Sequence, residues 1–195
     1  MSRRQFLVDS GIVLALGSLA LAGCKTGSSS ATRAEQNIAK RQGIDRDVDV
    51  ALAHLYAKVS GARELLEKAS GILVFPGVIA AGFWFGAQYG NGALRVGGST
   101  TAYYSTTGGS FGLQFGAQSK AVFLAFMNRE ALSSFVYSQG WVGGADATVA
   151  FATVGANGGV DSTTANKPVT GFVLTNGGLM AGVSLKGMRV SRLMI

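Results

Sequence analysis

One cysteine and one histidine are all the thiol and imidazole chemistry that 195 residues contain. Cys24 ends the run Leu21-Ala22-Gly23-Cys24, and His54 stands within an apolar helical pattern. So few soft donors argue against a thiolate or multi-histidine metal site and leave no pair for an internal disulfide. Gly108-Gly109-Ser110-Phe111-Gly112 fits Gly-x-Ser-x-Gly, in which a strained turn between a strand and a helix exposes a nucleophile. That chemistry needs a helix after the serine, then an acid and a histidine downstream. Here a strand pattern follows Ser110, and His54 lies upstream. Asp45, Asp47 and Asp49 alternate as in a calcium loop, but the glycine and closing glutamate of such a loop are missing. They read better as solvated acids at a helix start, where the positive end of the helix dipole favours them. A Gly-x-x-x-x-Gly-Lys-Ser/Thr phosphate loop is absent. His54 reads as a packing or surface residue. The expectation is a protein that is not an enzyme, with no metal and no cofactor.

Cys24 admits two readings, a buried core thiol or a thiol that becomes an acylated N-terminus. Lys25 and the Gly/Ser stretch after it cannot bury anything, which favours the second. The chain opens Ser2-Arg3-Arg4-Gln5-Phe6-Leu7 and stays mostly apolar to Ala22. That is the layout of a leader removed on export, too short and too interrupted by Asp9 for a spanning helix of about 20 residues. Leu21-Ala22-Gly23-Cys24 resembles the lipobox of bacterial lipoproteins, which implies acylation, palmitate included, at Cys24. Arg3 and Arg4 resemble a twin-arginine export signal, although Val8 stands where a lysine is common; an ordinary n-region remains the alternative. Lys25 is not the inner-membrane retention aspartate, which favours the outer membrane, facing the periplasm or the surface. The expected organisation is a signal peptide over 1–23, a lipidated cysteine and flexible tether over 24–32, and one domain over 33–195.

Cations are the reactive side chains present in quantity. The chain carries +7, and loss of 1–23 removes two cations and one anion, leaving +6. A basic excess favours anionic lipid or an acidic protein surface, and export makes nucleic acid the weakest partner. Arg33, Lys40, Arg41 and Arg46 lie nearest the tether and hence the membrane; Lys58, Arg63 and Lys68 follow, and Lys186, Arg189 and Arg192 lie near the C-terminus. Each cation near an anionic bilayer contributes on the order of 1 kcal/mol. The competing reading is plain solubilisation of a folded surface.

These residues need elements to carry them. Ile44, Val48, Leu52, Leu55 and Val59 recur every three or four positions, so 33 to about 69 reads as helical, with Gly43 and Gly61 predicting breaks into three short helices. After Gly71 the period becomes two. Ile72 to Phe75 predicts a short strand ended by a Pro76-Gly77 turn. Phe83, Phe85, Ala87 and Tyr89, then Phe111, Leu113 and Phe115, then Leu179, Ala181, Val183 and Leu185 alternate with small or polar residues. Glycine, 29 of 195 residues, supplies much of the bare face, so backbones approach closely and the sheet curls. Phe85-Gly86-Ala87-Gln88 recurs as Phe115-Gly116-Ala117-Gln118, as equivalent strands of one sheet would. Asn128 predicts an N-cap for a short helix with Leu132, Phe135 and Val136 facing inward. Strands are expected at 147–154 and 188–193, with an exposed loop at 155–168. The class is α+β: a curved antiparallel sheet or small barrel packed by N-terminal helices and one short internal helix.

Gly71-Ile72-Leu73-Val74-Phe75-Pro76, Ala81-Gly82-Phe83, Gly86-Ala87-Gln88-Tyr89-Gly90, Tyr103-Tyr104-Ser105, Gly109-Ser110-Phe111-Gly112-Leu113-Gln114, Ala145-Asp146-Ala147 and Gly178-Leu179-Met180-Ala181-Gly182-Val183-Ser184-Leu185 occur in this order. Together they resemble the SYLF domain, also called the Ysc84 actin-binding domain, over 48–193. The resemblance implies lipid binding, partly through a basic amphipathic N-terminal helix, and in some members actin binding. For a bacterial cell envelope this translates into anionic phospholipids as partners, beside the membrane reached through acylated Cys24. The expected function is a lipid-anchored protein whose domain binds anionic phospholipids at the membrane surface. The rival is a non-enzymatic interaction or assembly module that uses exposed apolar strand surface and the 155–168 loop against an envelope protein.

Overall fold

The computed structural model describes residues 30–82, 85–111, 118–152, 167–180, 185 and 187–195. The helical periodicity becomes one long helix, α1 (Ser30–Lys58), which takes in Ser30 to Thr32 of the expected tether. Ile44, Val48, Ala51 and Leu55 are buried, as is Val59 just beyond the helix, while Leu52 is half-buried. The break expected at Gly43 does not occur. A glycine inside a helix costs roughly 1 kcal/mol against alanine, whereas each buried aliphatic side chain gains about 1.5–3 kcal/mol, so docking of the second half carries the helix through. Gly61 does break the chain, with a left-handed φ of 80°, and α2 (Ala62–Glu67) follows with Leu65 and Leu66 buried.

Nine strands are described: β1 (Gly71–Gly82), β2 (Phe85–Val96), β3 (Ser99–Phe111), β4 (Gln118–Phe126), β5 (Trp141–Val142), β6 (Val149–Phe151), β7 (Val169–Thr175), β8 (Gly178–Leu179) and β9 (Arg189–Arg192). They form one sheet in the order β5-β9-β3-β2-β1-β4-β7-β6, with β8 added on β7, curled into a half-barrel. Among the described residues the pairings are antiparallel except β6 with β7, which is parallel. Alternation along the central strands serves two cores. Val74, Ala93, Phe123 and Phe172 pack under α1 and α2. Leu73, Leu94, Val122, Val173 and Val190 form the other core, which joins β9 to β7 across the curl.

Pro76-Gly77 does not end a strand. β1 runs through it as a bulge, its register jumping between Phe75 and Val78 against β4 and between Val74 and Ile79 against β2. A proline cannot donate to a ladder, so within a central strand a bulge is where it fits. Opposite this bulge a Cβ at Gly92 would stand 2.1 Å from the Val74 carbonyl oxygen, and only glycine permits that approach.

The short helix is α3 (Arg129–Tyr137), and the Asn128 side chain caps it by accepting from the Ala131 N–H at 2.7 Å. Phe135 is buried against the rings of Tyr104, Phe126 and Trp141. Val136 does not face inward; it and Tyr137 lie on the solvent side, which the turn to Ser138 leaves uncovered. The strand expected over 188–193 is β9. The expected strand at 112–116, nearly all of the 155–168 loop, Lys186 and 181–184 lie outside the described residues, as do Arg3, Arg4 and Cys24.

Candidate functional site

Arg33, Lys40, Arg41, Arg46, Lys58, Arg63 and Lys68 fall on the two N-terminal helices or their cap, and all are exposed, whereas Arg189 and Arg192 lie on β9. Helix geometry sorts them. At about 100° per residue, Arg33, Lys40 and Lys58 share one flank of α1, Arg41 lies on the opposite flank, and Arg46 points away from the sheet. Arg41 is occupied, since Nε donates to the Ile195 carbonyl oxygen at 2.8 Å and Nη2 donates to the same atom. Arg46 lies 4.0 Å from the exposed Asp47 carboxylate, a weak contact. Arg63 sits 4.2 Å over the Tyr56 ring, and burial raises the Tyr56 phenol pKa against the lowering effect of that guanidinium. The side chains of Arg33, Lys40, Lys58 and Lys68 make no ion pair, hydrogen bond or ring contact among the described residues. The sequence-predicted set is therefore not one patch. Arg33 and Lys40 form a free stripe, and the others are spread or engaged.

That stripe has an unusual setting. No residue of α1 before Ile44 is buried, so its first fourteen residues, about 20 Å of helix, stand clear of either core. The face that carries Ile44, Val48 and Leu55 in the docked half carries Arg33, Asn37, Lys40 and Arg41 in the overhang. The apolar stripe turns basic without a change of period. Ile38 is more than half exposed on the overhang.

Asp45 and Asp49 are not at a helix start. They lie mid-helix on one flank of α1, fastening it to the β2–β3 hairpin. Arg95 Nη2 donates to Asp49 Oδ1 at 2.7 Å and to the Asp45 carbonyl at 3.3 Å, and Nη1 donates to the Gly98 carbonyl at 3.3 Å. The Asp45 carboxylate accepts from Thr100 Oγ1 and Tyr103 Oη, each at 2.7 Å, and lies 3.8 Å from Arg95. Burial, then the hydrogen bond to Asp45 and its charge, push the Tyr103 phenol up to about 12. Sequence reading missed this cluster. Its only signal, the Asp45/Asp49 spacing of four, resembles any solvated acidic pair.

His54 stands at a groove of about 600 Å³ between α1 and the bulged part of the sheet. The Gly-x-Ser-x-Gly serine lies in β3, next to its last residue, Phe111. The described residues hold no cluster of three or more potential metal ligands. No helix among them is long and apolar enough to cross a membrane.

Compared with known families, residues 107–193 match the Ysc84 family, described as "Las17-binding protein actin regulator". The match runs from the second half of β3 through β9; the sequence blocks resembling SYLF between 71 and 105 lie upstream of it. No curated protein matches the chain.

Proposed function

We propose that this chain, whose residues 107–193 carry the Ysc84 (SYLF) domain, is a membrane-surface protein that binds anionic phospholipid through the overhanging half of α1. The family implies a lipid-binding or actin-related domain; the overhang favours lipid. One observation carries the reading: Arg33 and Lys40 are exposed, with no ion pair or hydrogen bond among the described residues, on a helical face that holds no buried residue before Ile44. Cations held on a rigid helix lose little conformational freedom on meeting a charged surface. Acylation at Cys24, a short distance before α1, would hold this face against a bacterial envelope membrane. The protein-partner reading rests on Tyr137, 85% exposed beside Val136 on α3, at the far side of the sheet.

A Cys24→Ser chain, made without acylation, is mixed with vesicles of neutral lipid alone or with an anionic lipid added, over a salt series. Binding to anionic vesicles only, fading with salt, is expected. Arg33→Ala with Lys40→Ala should weaken it by about 2 kcal/mol, roughly 30-fold, whereas Arg41→Ala alone should matter less because that guanidinium is already engaged. Equal binding of neutral and anionic vesicles, or full binding by the double variant, would refute the assignment.

A further inference from the structure

The docked half of α1 faces different chemistry from the overhang. Asp47, Val50 and His54 form one wall of the 600 Å³ groove; Ile79, Tyr89 and Asn91 form the other, over the Pro76-Gly77 bulge. Bulges next to functional sites re-aim side chains, and here pairing of β1 with β2 skips from Val74↔Ala93 to Ile79↔Tyr89, so Asn91 falls within the jump and Tyr89 at its edge. Val50, Ile79 and Tyr89 are each more than half exposed, so the groove is open to solvent along its length and its apolar rim is unsatisfied. The Tyr89 hydroxyl donates to Asn91 Oδ1 at 2.8 Å, which fixes the ring and leaves the Asn91 amide donors free. Ser119, Asn176 and His54 have no side-chain partner among the described residues.

We propose that this groove binds a neutral, hydroxyl-rich ligand of the saccharide class. Among the described residues the lining holds no lysine or arginine and one carboxylate, Asp47, so a phosphate would meet a like charge and no counter-charge there. An acyl chain would leave the amide, hydroxyl and carboxylate groups unpaired in a dry contact. A sugar ring satisfies both parts of the groove: its C–H face stacks on Tyr89, and its hydroxyls exchange hydrogen bonds with Asn91, Asn176, Ser119 and Asp47. Hydrolysis by paired carboxylates requires two acids across the scissile bond, and the described lining supplies one, which fits a site that holds its ligand without cleaving it. This site is separate from the Arg33/Lys40 stripe and does not depend on the lipid reading.

The test is calorimetry and amide NMR shifts on the full chain with neutral tetrasaccharides: β-linked N-acetylglucosamine, and α- and β-linked glucose. Saturable binding of at least one is expected, with a dissociation constant of about 1 mM or below, unchanged by salt, with shifts at Tyr89, Asn91 and Asn176. Tyr89→Ala should weaken it about tenfold. Asn176→Ala, at an exposed turn, serves the same purpose if Tyr89→Ala does not fold. Arg33→Ala with Lys40→Ala should leave it intact, so failure of the lipid assay and of this one are told apart. No saturable binding of any tetrasaccharide, undiminished binding by a folded groove variant, or displacement of the sugar by fatty acid would overturn the proposal.

Discussion

Arg95→Met tests whether the polar cluster on β2 and β3 holds α1 in place. Methionine keeps most of the stem's packing and removes the fork of donors. The Arg95 side chain is 16% exposed, and it loses two hydrogen bonds to backbone carbonyls, each worth about 0.5–1.5 kcal/mol net. Its ion pair with Asp49 adds at most about 1 kcal/mol because that carboxylate is 64% exposed. Asp45, half-covered by Thr100 and Tyr103, then loses its only cation within 4 Å among the described residues, a further cost of about 1 kcal/mol. Working against these losses, Nε of Arg95 is buried without a partner, and removing it recovers about 1 kcal/mol. The balance is a loss of about 2 kcal/mol. Urea unfolding followed by far-ultraviolet circular dichroism should show a lower midpoint with an unchanged slope. Combining the change with Asp49→Asn should give a coupling energy below about 1 kcal/mol. A loss under about 0.5 kcal/mol would refute the reasoning. So would full stability in Arg95→Lys, since a single ammonium cannot span Asp49 and Gly98 together.

Gly43→Ala should raise stability by about 0.5–1 kcal/mol, because the position is helical and nothing lies within 4 Å of the added Cβ; a lower unfolding midpoint in urea would mean that a hinge is needed there. Tyr103 has a folded pKa of about 12 against about 10 unfolded, so its contribution is complete below pH 10 and is lost as pH rises from about 10 to 12. Wild type should therefore lose more stability over that interval than Tyr103→Phe, measured as paired urea midpoints.

Much of the architecture was legible because it rests on local periodicity. Ile44, Val48, Leu55 and Val59 mark the docked face of α1 at helical spacing, and Asn128 caps α3 through its own first turn, three residues away. Errors arose where a residue's local preference lost to its tertiary setting. Gly43 reads as a stop until the burial on its C-terminal side is counted. Pro76-Gly77 reads as a turn until a bulge between two long neighbouring strands is allowed. The parallel pairing of β6 with β7 joins segments whose spacing in sequence says nothing of direction. The Arg95 cluster and the groove were out of reach for a further reason: Asp45 meets Thr100 and Tyr103 across 55 and 58 residues of sequence, and the groove draws on α1, β1, β2, β4 and β7. Basic residues could be found by type, but which of them are free depends on partners such as Tyr56 and Ile195.

The two halves of α1 depend on each other in one direction. An isolated helix of about fourteen residues is marginal in water, because nucleation is costly and only propagation is favourable. The overhang has no buried residue to stabilise it, so its helical form derives from continuing a helix already nucleated by Ile44, Val48 and Leu55 on the sheet. The Asp45/Asp49 cluster lies within the first turns of that docked half, and Arg41 ties the last turn of the overhang to Ile195. Polar contacts therefore fix the point where the helix leaves the body. Beyond it, the basic stripe is presented at an angle set by the sheet and not by its own sequence. A stripe of Arg33 and Lys40 held this way meets a charged surface already ordered, whereas the same residues on a flexible tether would first have to give up their conformational freedom.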